Sequence, residues 1–310
     1  MINLRYHIVS LIAVFLALGT GVVMGATVID RAIVDSLDDR VNRVERSVRA
    51  TQDENQRLNG QLQVVRDFAD QARDAIARDQ LRDVPVLVLA VEGVDRKPVD
   101  ALRQSLLGAQ ASLVGTVWFT AKMRLESTGD VQALATALNT ESSDPEALRK
   151  LALDRVATTL AGRSGEGGTP NPLPALDTAG FVTYDSPPPQ LPATLETVAV
   201  PGLRTVLVSG AGARVGDDVL AVPLAESLVS AGDPVVAAEA GQDTPGGRGV
   251  FVGVLRRDNE VGSRLSTVDN LESSMGQAAA VLAAGDLGAA RTGHFGVGPG
   301  AQRLLPAPQT

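Results

Sequence analysis

The run from Ile8 to Thr27, IVSLIAVFLALGTGVVMGAT, contains no charged residue. A helix rises about 1.5 Å per residue, so ~20 such residues match the ~30 Å hydrocarbon core of a bilayer. Arg5 and His7 precede the run, and Asp30 and Arg31 end it. A cleaved signal peptide is the rival reading. It has a shorter apolar core and small residues at its cleavage site. Here Met24 occupies the −3 position for a cut after Ala26, and helical sequence continues past Asp30. The segment therefore reads as an uncleaved, single-pass anchor across residues 8–28, with 1–29 forming the N-terminal tail and membrane helix. Arg5 stands before it, while Arg31, Arg40, Arg43 and Arg46 follow. Counted naively, those arginines would hold the C-terminal side in the cytoplasm, but long domains are exported largely regardless of flanking charge. The residues alone leave the orientation open. Ala17, Gly21 and Gly25 recur every four residues. Either they let two membrane helices approach closely, or they reflect how common glycine is in such helices.

Residues 30–82 contain no proline and one glycine, Gly60. Val34, Leu37, Val41, Val44, Val48, Thr51, Asn55, Leu58, Leu62, Val65, Ala69, Ala72 and Ile76 follow alternating steps of three and four. These are a and d positions of a heptad repeat held for roughly six heptads. A 3.5-residue period is covered continuously only by a supercoiled partner. Val34, Val41 and Val48 at a, followed by Asn55, favour a parallel two-stranded coil of fixed register. Arg40 at g faces Glu45 at the next e of the partner. The bland alternative is a helix packed back on its own domain; the narrow stripe and polar outer positions argue against it. The membrane glycines fall at b and f of the same heptad, so the two faces are out of phase and the chain near Asp30 has to adjust.

From residue 84 to 310 the pattern changes. Val86–Val91 is a continuous apolar run of the kind found in buried parallel strands. A helix is predicted over Pro98–Ala109 and a strand over Ser112–Thr120. Two helices follow at 129–139 and 144–161, and a flexible loop spans about 162–176. Thr205–Ser209 reads as a strand, Asp217–Ala231 as a helix, Pro234–Ala238 and Val250–Leu255 as strands, and 270–284 as a helix. Alternating elements imply an α/β class, with a mainly parallel, doubly wound sheet of Rossmann-like or flavodoxin-like kind. Its halves form either one core or two lobes.

Few residues offer chemistry. Gly210-Ala-Gly212-Ala-Arg-Val-Gly216 follows a strand, and Glu239 ends the next one. That context suits dinucleotide binding, but the third glycine is one residue late, so a plain strand-to-helix turn is preferred. The histidines are His7 and His294, and cysteine is absent. No conventional zinc site, catalytic triad or nucleophile elbow can be assembled from them. Met123 and Met275 read as core filler. Paired acids such as Asp217-Asp218 suit a helix start. The net charge of −8 and 3% aromatic content argue against nucleic acid, which needs a basic face or stacking platforms. No cofactor, catalytic residue or metal ligand is expected.

Three segments resemble the actinobacterial copper-transport protein B (MctB) family: Asn3–Gly25, Ser266–Leu282 (STVDNLESSMGQAAAVL) and Gly293–Gly296 (GHFG). The order of anchor, coiled coil and α/β domain also matches. The resemblance implies an envelope protein with its domain outside the cytoplasm. Family names imply copper efflux or an outer-membrane channel. Relatives are also tied to cell separation, as membrane partners that regulate a peptidoglycan hydrolase. A barrel channel needs many closed, alternating strands, which this chain lacks in its pattern. The expectation is a non-enzymatic homodimer in the cell membrane that presents its domain to a cell-envelope protein partner. Copper export is the alternative, and a nucleotide-binding enzyme the remote one.

Overall fold

The computed structural model describes residues 4–163, 170–186, 194–241 and 251–307, and over 26–36 the backbone alone. The chain divides into two compact units, residues 1–65 and 66–310. Helix α1 runs from Leu4 to Ala77 and contributes to both. Leu4–Gly25 is 22 residues long, with a mean hydropathy of 2.4 and none of it buried. By length and composition it can cross a membrane.

The stalk is expected to run to residue 82. The helix stops at Ala77, and Asp79 and Asp83 adopt left-handed backbones with φ of 63° and 60°. These turns carry Leu81 into the core, where its N–H donates to the Ala109 carbonyl at 3.1 Å. Docking on the domain ends the helix before Pro85 does.

Among the described residues the second unit is built on one seven-stranded mixed sheet. Its strands are β1 (Pro85–Val91), β2 (Ser112–Phe119), β3 (Val182–Asp185), β4 (Arg204–Gly210), β5 (Val235–Ala240), β6 (Ser266–Val268) and β7 (His294–Phe295). Their order is β3-β2-β1-β4-β5-β6-β7. All neighbours are parallel except β2 and β3. The two halves thus share one sheet rather than forming lobes. Helices α2 (Arg96–Gly108), α3 (Thr128–Ala137), α4 (Pro145–Leu160), α5 (Leu173–Thr178), α6 (Ala221–Ala231), α7 (Val252–Arg257), α8 (Asn259–Gly262) and α9 (Ser274–Asp286) connect them. Crossovers run to the left of β1 and to the right of β4, and right-handed connections of this kind place helices on opposite faces of a sheet. Accordingly α2 packs on α9, and α4 on α6.

Start signals were legible. Asp144 accepts from the N–H groups of Glu146 and Ala147, with Pro145 in the first turn of α4; a capping acid and proline there match the unpaired N–H groups of a helix start. Three other expectations fail. The strand expected over Val250–Leu255 is helix α7 from Val252 onward, while position 250 lies outside the described residues. A short apolar run cannot distinguish a buried helix from a strand; here Glu239 decides, accepting the Val252 N–H at 2.9 Å. The helix expected from Asp217 begins at Ala221. The loop expected over 162–176 ends earlier, because Leu173 opens α5, held by its N–H to the Asn171 side chain at 3.0 Å; residues 164–169 of that loop lie outside the described residues.

Candidate functional site

Open parallel sheets bind ligands beyond the carboxyl ends of their strands, where the connections diverge to either side. In this sheet that place lies between β1 and β4. Gly93 follows β1 and Gly212 follows β4, with φ of +99° and +87°. A Cβ on Gly93 would collide with the Gly212 carbonyl, and one on Gly212 would meet the Gly93 oxygen. The two turns therefore interlock, and glycine serves that approach rather than a phosphate. Glu92 ties the strand ends together. It accepts the Ala121 N–H at 2.8 Å and pairs with the Arg214 guanidinium at 2.7 Å, while Arg214 N–H donates to the Glu92 carbonyl at 2.7 Å. These contacts join the two strand ends across the crevice.

The two acids nearby point the same way. Glu239, the candidate ribose partner, is fully buried and bonds to the start of α7. Asp217 accepts from Ser209 Oγ at 2.5 Å, and burial, with Glu239 and Asp218 nearby, pushes its carboxyl up to about 6. A carboxylate where a pyrophosphate would sit repels it. The glycine loop is a structural turn.

The second assembly lies at the far edge of the sheet. Arg256 on α7 and Asp269 after β6 form an ion pair at 2.6 Å, with side chains 3% and 1% exposed. Buried charges need full hydrogen-bond satisfaction, and this pair has it. Arg256 donates to Thr267 Oγ1 at 2.8 Å, to the Phe295 carbonyl at 2.8 Å and to the Pro299 carbonyl at 3.0 Å. Asp269 accepts from the N–H groups of Val297 and Gly298, at 2.8 and 2.9 Å. Gly296 has φ of +125°, and any Cβ there would overlap the Asp269 carboxylate. The two C-terminal segments singled out in the sequence, STVDN and GHFG, are thus joined in one clamp. Neither Arg256 nor Asp269 was anticipated; the signal available was an aspartate in one segment and glycines in the other.

His294 lies beside this clamp. Its Nδ1 is 3.1 Å from Thr267 Oγ1, and burial, helped by Arg256, lowers its pKa. Met123 is buried as expected. Met275 is not core filler: it is 36% exposed at the start of α9, because Ala278, Ala279 and Val281 take the inward positions there.

The stalk positions are arranged otherwise. Leu37, Val41, Val44, Val48, Leu58, Leu62 and Val65 are exposed along α1, as is Asn55; the side chain of Val34 lies outside the described residues. A Cβ on Gly21 or Gly25 would meet nothing within 4 Å, and Ala17 is exposed. Glu45 pairs with Arg49 of its own helix at 3.3 Å, with both side chains more than half exposed. Toward the end of α1 the pattern changes. Ala69, Ala72 and Arg73 are half-buried and Ala77 is buried. Arg73 donates to Gln277 at 3.0 Å and Asp70 bonds to Ser274. This last stretch packs on its own domain, as the bland alternative held.

The family described as "Copper transport outer membrane protein, MctB" matches residues 1–306. Among curated proteins, the copper transporter MctB of Mycobacterium tuberculosis is 28% identical over 318 residues, covering 98% of this chain and 99% of the relative. The protein of the same name from Mycobacterium leprae is 27% identical over 320 residues, with the same coverage of both chains.

Proposed function

The chain belongs to the MctB family, and from that premise we propose that it is a membrane-anchored dimeric stalk whose α/β domain meets other proteins of the cell envelope. The observation that carries this reading is the exposed heptad stripe from Leu37 to Val65. An apolar seam of that length in water is covered by a second helix of the same period. The strand order fits a Rossmann-like sheet, but the interlocked glycines favour a binding module over a nucleotide enzyme. In this reading the domain lies outside the cytoplasm, with a regulator of peptidoglycan hydrolysis as one class of partner. A chain from Asp30 onward is expected to be a parallel dimer; a monomer at tens of micromolar by light scattering would sink the reading. A reporter active only outside the cytoplasm, fused after Thr310, should be active.

The relatives' name supports a second reading, a direct part in copper export. Soft Cu(I) is held by thiolate or thioether and Cu(II) by imidazole. Beyond the membrane segment this chain offers His294, Met123 and Met275, and Met123 is buried. Calorimetric titration with either ion should show weak binding. A submicromolar, stoichiometric site abolished by His294→Ala would put copper handling first.

A further inference from the structure

Phe68 is 70% exposed, the most anomalous aromatic of the second unit. It occupies a g position, one residue before Ala69 at a. Residues advance by about 100° per step, so Phe68 lies roughly 160° around α1 from Asp70, which touches the domain. Phe68 therefore cannot reach its own α9. In a parallel two-stranded coil, however, g of one helix faces the following e of the other. Five residues on from Phe68, that e position is Arg73.

Arg73 is already held in place. Its side chain is 25% exposed, with one guanidinium nitrogen on Gln277 Oε1 at 3.0 Å and Nε on Asp74 at 2.9 Å. A fixed, partly desolvated guanidinium is a good partner for an aromatic face. Met275, two residues before Gln277 on α9, is 36% exposed. It shares a face of α9 with Leu282, seven residues on. Leu282 lines a niche of about 340 Å³ with Ile76, the last a position of the stalk. Met275 thus sits on the side of α9 that flanks the seam. Thioether–aromatic contacts are favourable.

We propose that Phe68 of one protomer docks on Arg73 and Met275 of a second copy of this chain, latching each domain to the neighbouring stalk helix. The proposal rests on the parallel-dimer reading above and adds an inter-protomer anchor to it. It gives the exposed phenylalanine, the immobilised arginine and the exposed methionine one common partner.

The chain has no cysteine, so paired thiols can be placed cleanly in the full-length protein in detergent. Phe68→Cys and Met275→Cys in one chain, treated with a short bis-maleimide, should give a covalent dimer several-fold more abundant than either single variant. Leu58→Cys reports the seam itself. A covalent dimer through Leu58→Cys without one through the 68/275 pair overturns the anchor and leaves the stalk reading standing. Linkage of 68 to 275 within one chain, read as modified thiols on a monomer, also overturns it. Failure of both pairs removes the dimer and the anchor together.

Discussion

The helix of residues 4–65 and the α/β unit of residues 66–310 use apolar residues in opposite ways. In the α/β unit Val86–Val91, Val206–Val208 and Val235–Ala238 are all buried; their partners are elsewhere in the same chain. In the helix, Leu11, Phe15, Leu37, Val48 and Leu62 are all exposed. Burying a Leu or Val side chain is worth about 1.5–3 kcal/mol, so exposure on that scale marks surfaces completed by something outside the chain. Lipid suits the uncharged run, and the proposed stalk assigns a second helix to the heptad stripe. One region buries its apolar residues within the chain, and the other leaves them exposed.

The largest test of this contrast is to charge the stripe. Leu58→Asp with Leu62→Asp should dissociate the dimer, since unpaired charge in an apolar seam is strongly unfavourable. Light scattering should give a monomer, while melting of the α/β unit stays in place. If the unit unfolds as well, the two regions are not independent in the way proposed.

The converse test breaks the self-sufficient region alone. Arg256→Ala leaves Asp269 buried and unpaired, which costs about 3–5 kcal/mol. Thermal melting of the α/β unit should fall steeply and the dimer should persist. Replacing Arg256 by methionine together with Asp269→Asn should recover part of the loss, because it removes both charges.

A smaller, pH-dependent effect belongs to Asp233. Burial pushes its pKa up to about 7, against a hydrogen bond from the Thr205 hydroxyl that acts to lower it. A raised carboxyl favours the folded state fully below its ordinary pKa and loses that contribution as pH rises through about 7. Asp233→Asn should therefore raise the melting temperature most at pH 8, with the gain shrinking toward pH 4. A gain independent of pH would mean the carboxyl is not the titrating group. The smallest effect is expected at Asn55. Asn55→Val should raise the melting temperature of the stalk modestly while relaxing its register or oligomeric state, because a buried asparagine at a trades stability for specificity. A lower melting temperature would show that Asn55 does not face the seam.

Along this chain, legibility followed the range of the interactions. Helix α1, its uncharged run and its heptads were readable from sequence because a helix repeats its face every few residues. Strands β1, β2, β4 and β5 were readable for a related reason, as apolar runs of strand length between turn signals. Tertiary structure decided the rest. The antiparallel edge strand β3 is only four residues long and carries little pattern. Whether residues 252–257 became helix or strand depended on Glu239, which lies 13 positions earlier and caps the helix. Arg256 and Asp269 became a satisfied pair only because the turn at Gly296–Gly298 supplies the N–H groups. Gly93 and Gly212 became a closed turn rather than a phosphate cradle because two strands distant in sequence lie side by side. Periodicity is local and survives in one dimension; a carboxylate's partner is set by which backbone the fold brings to it.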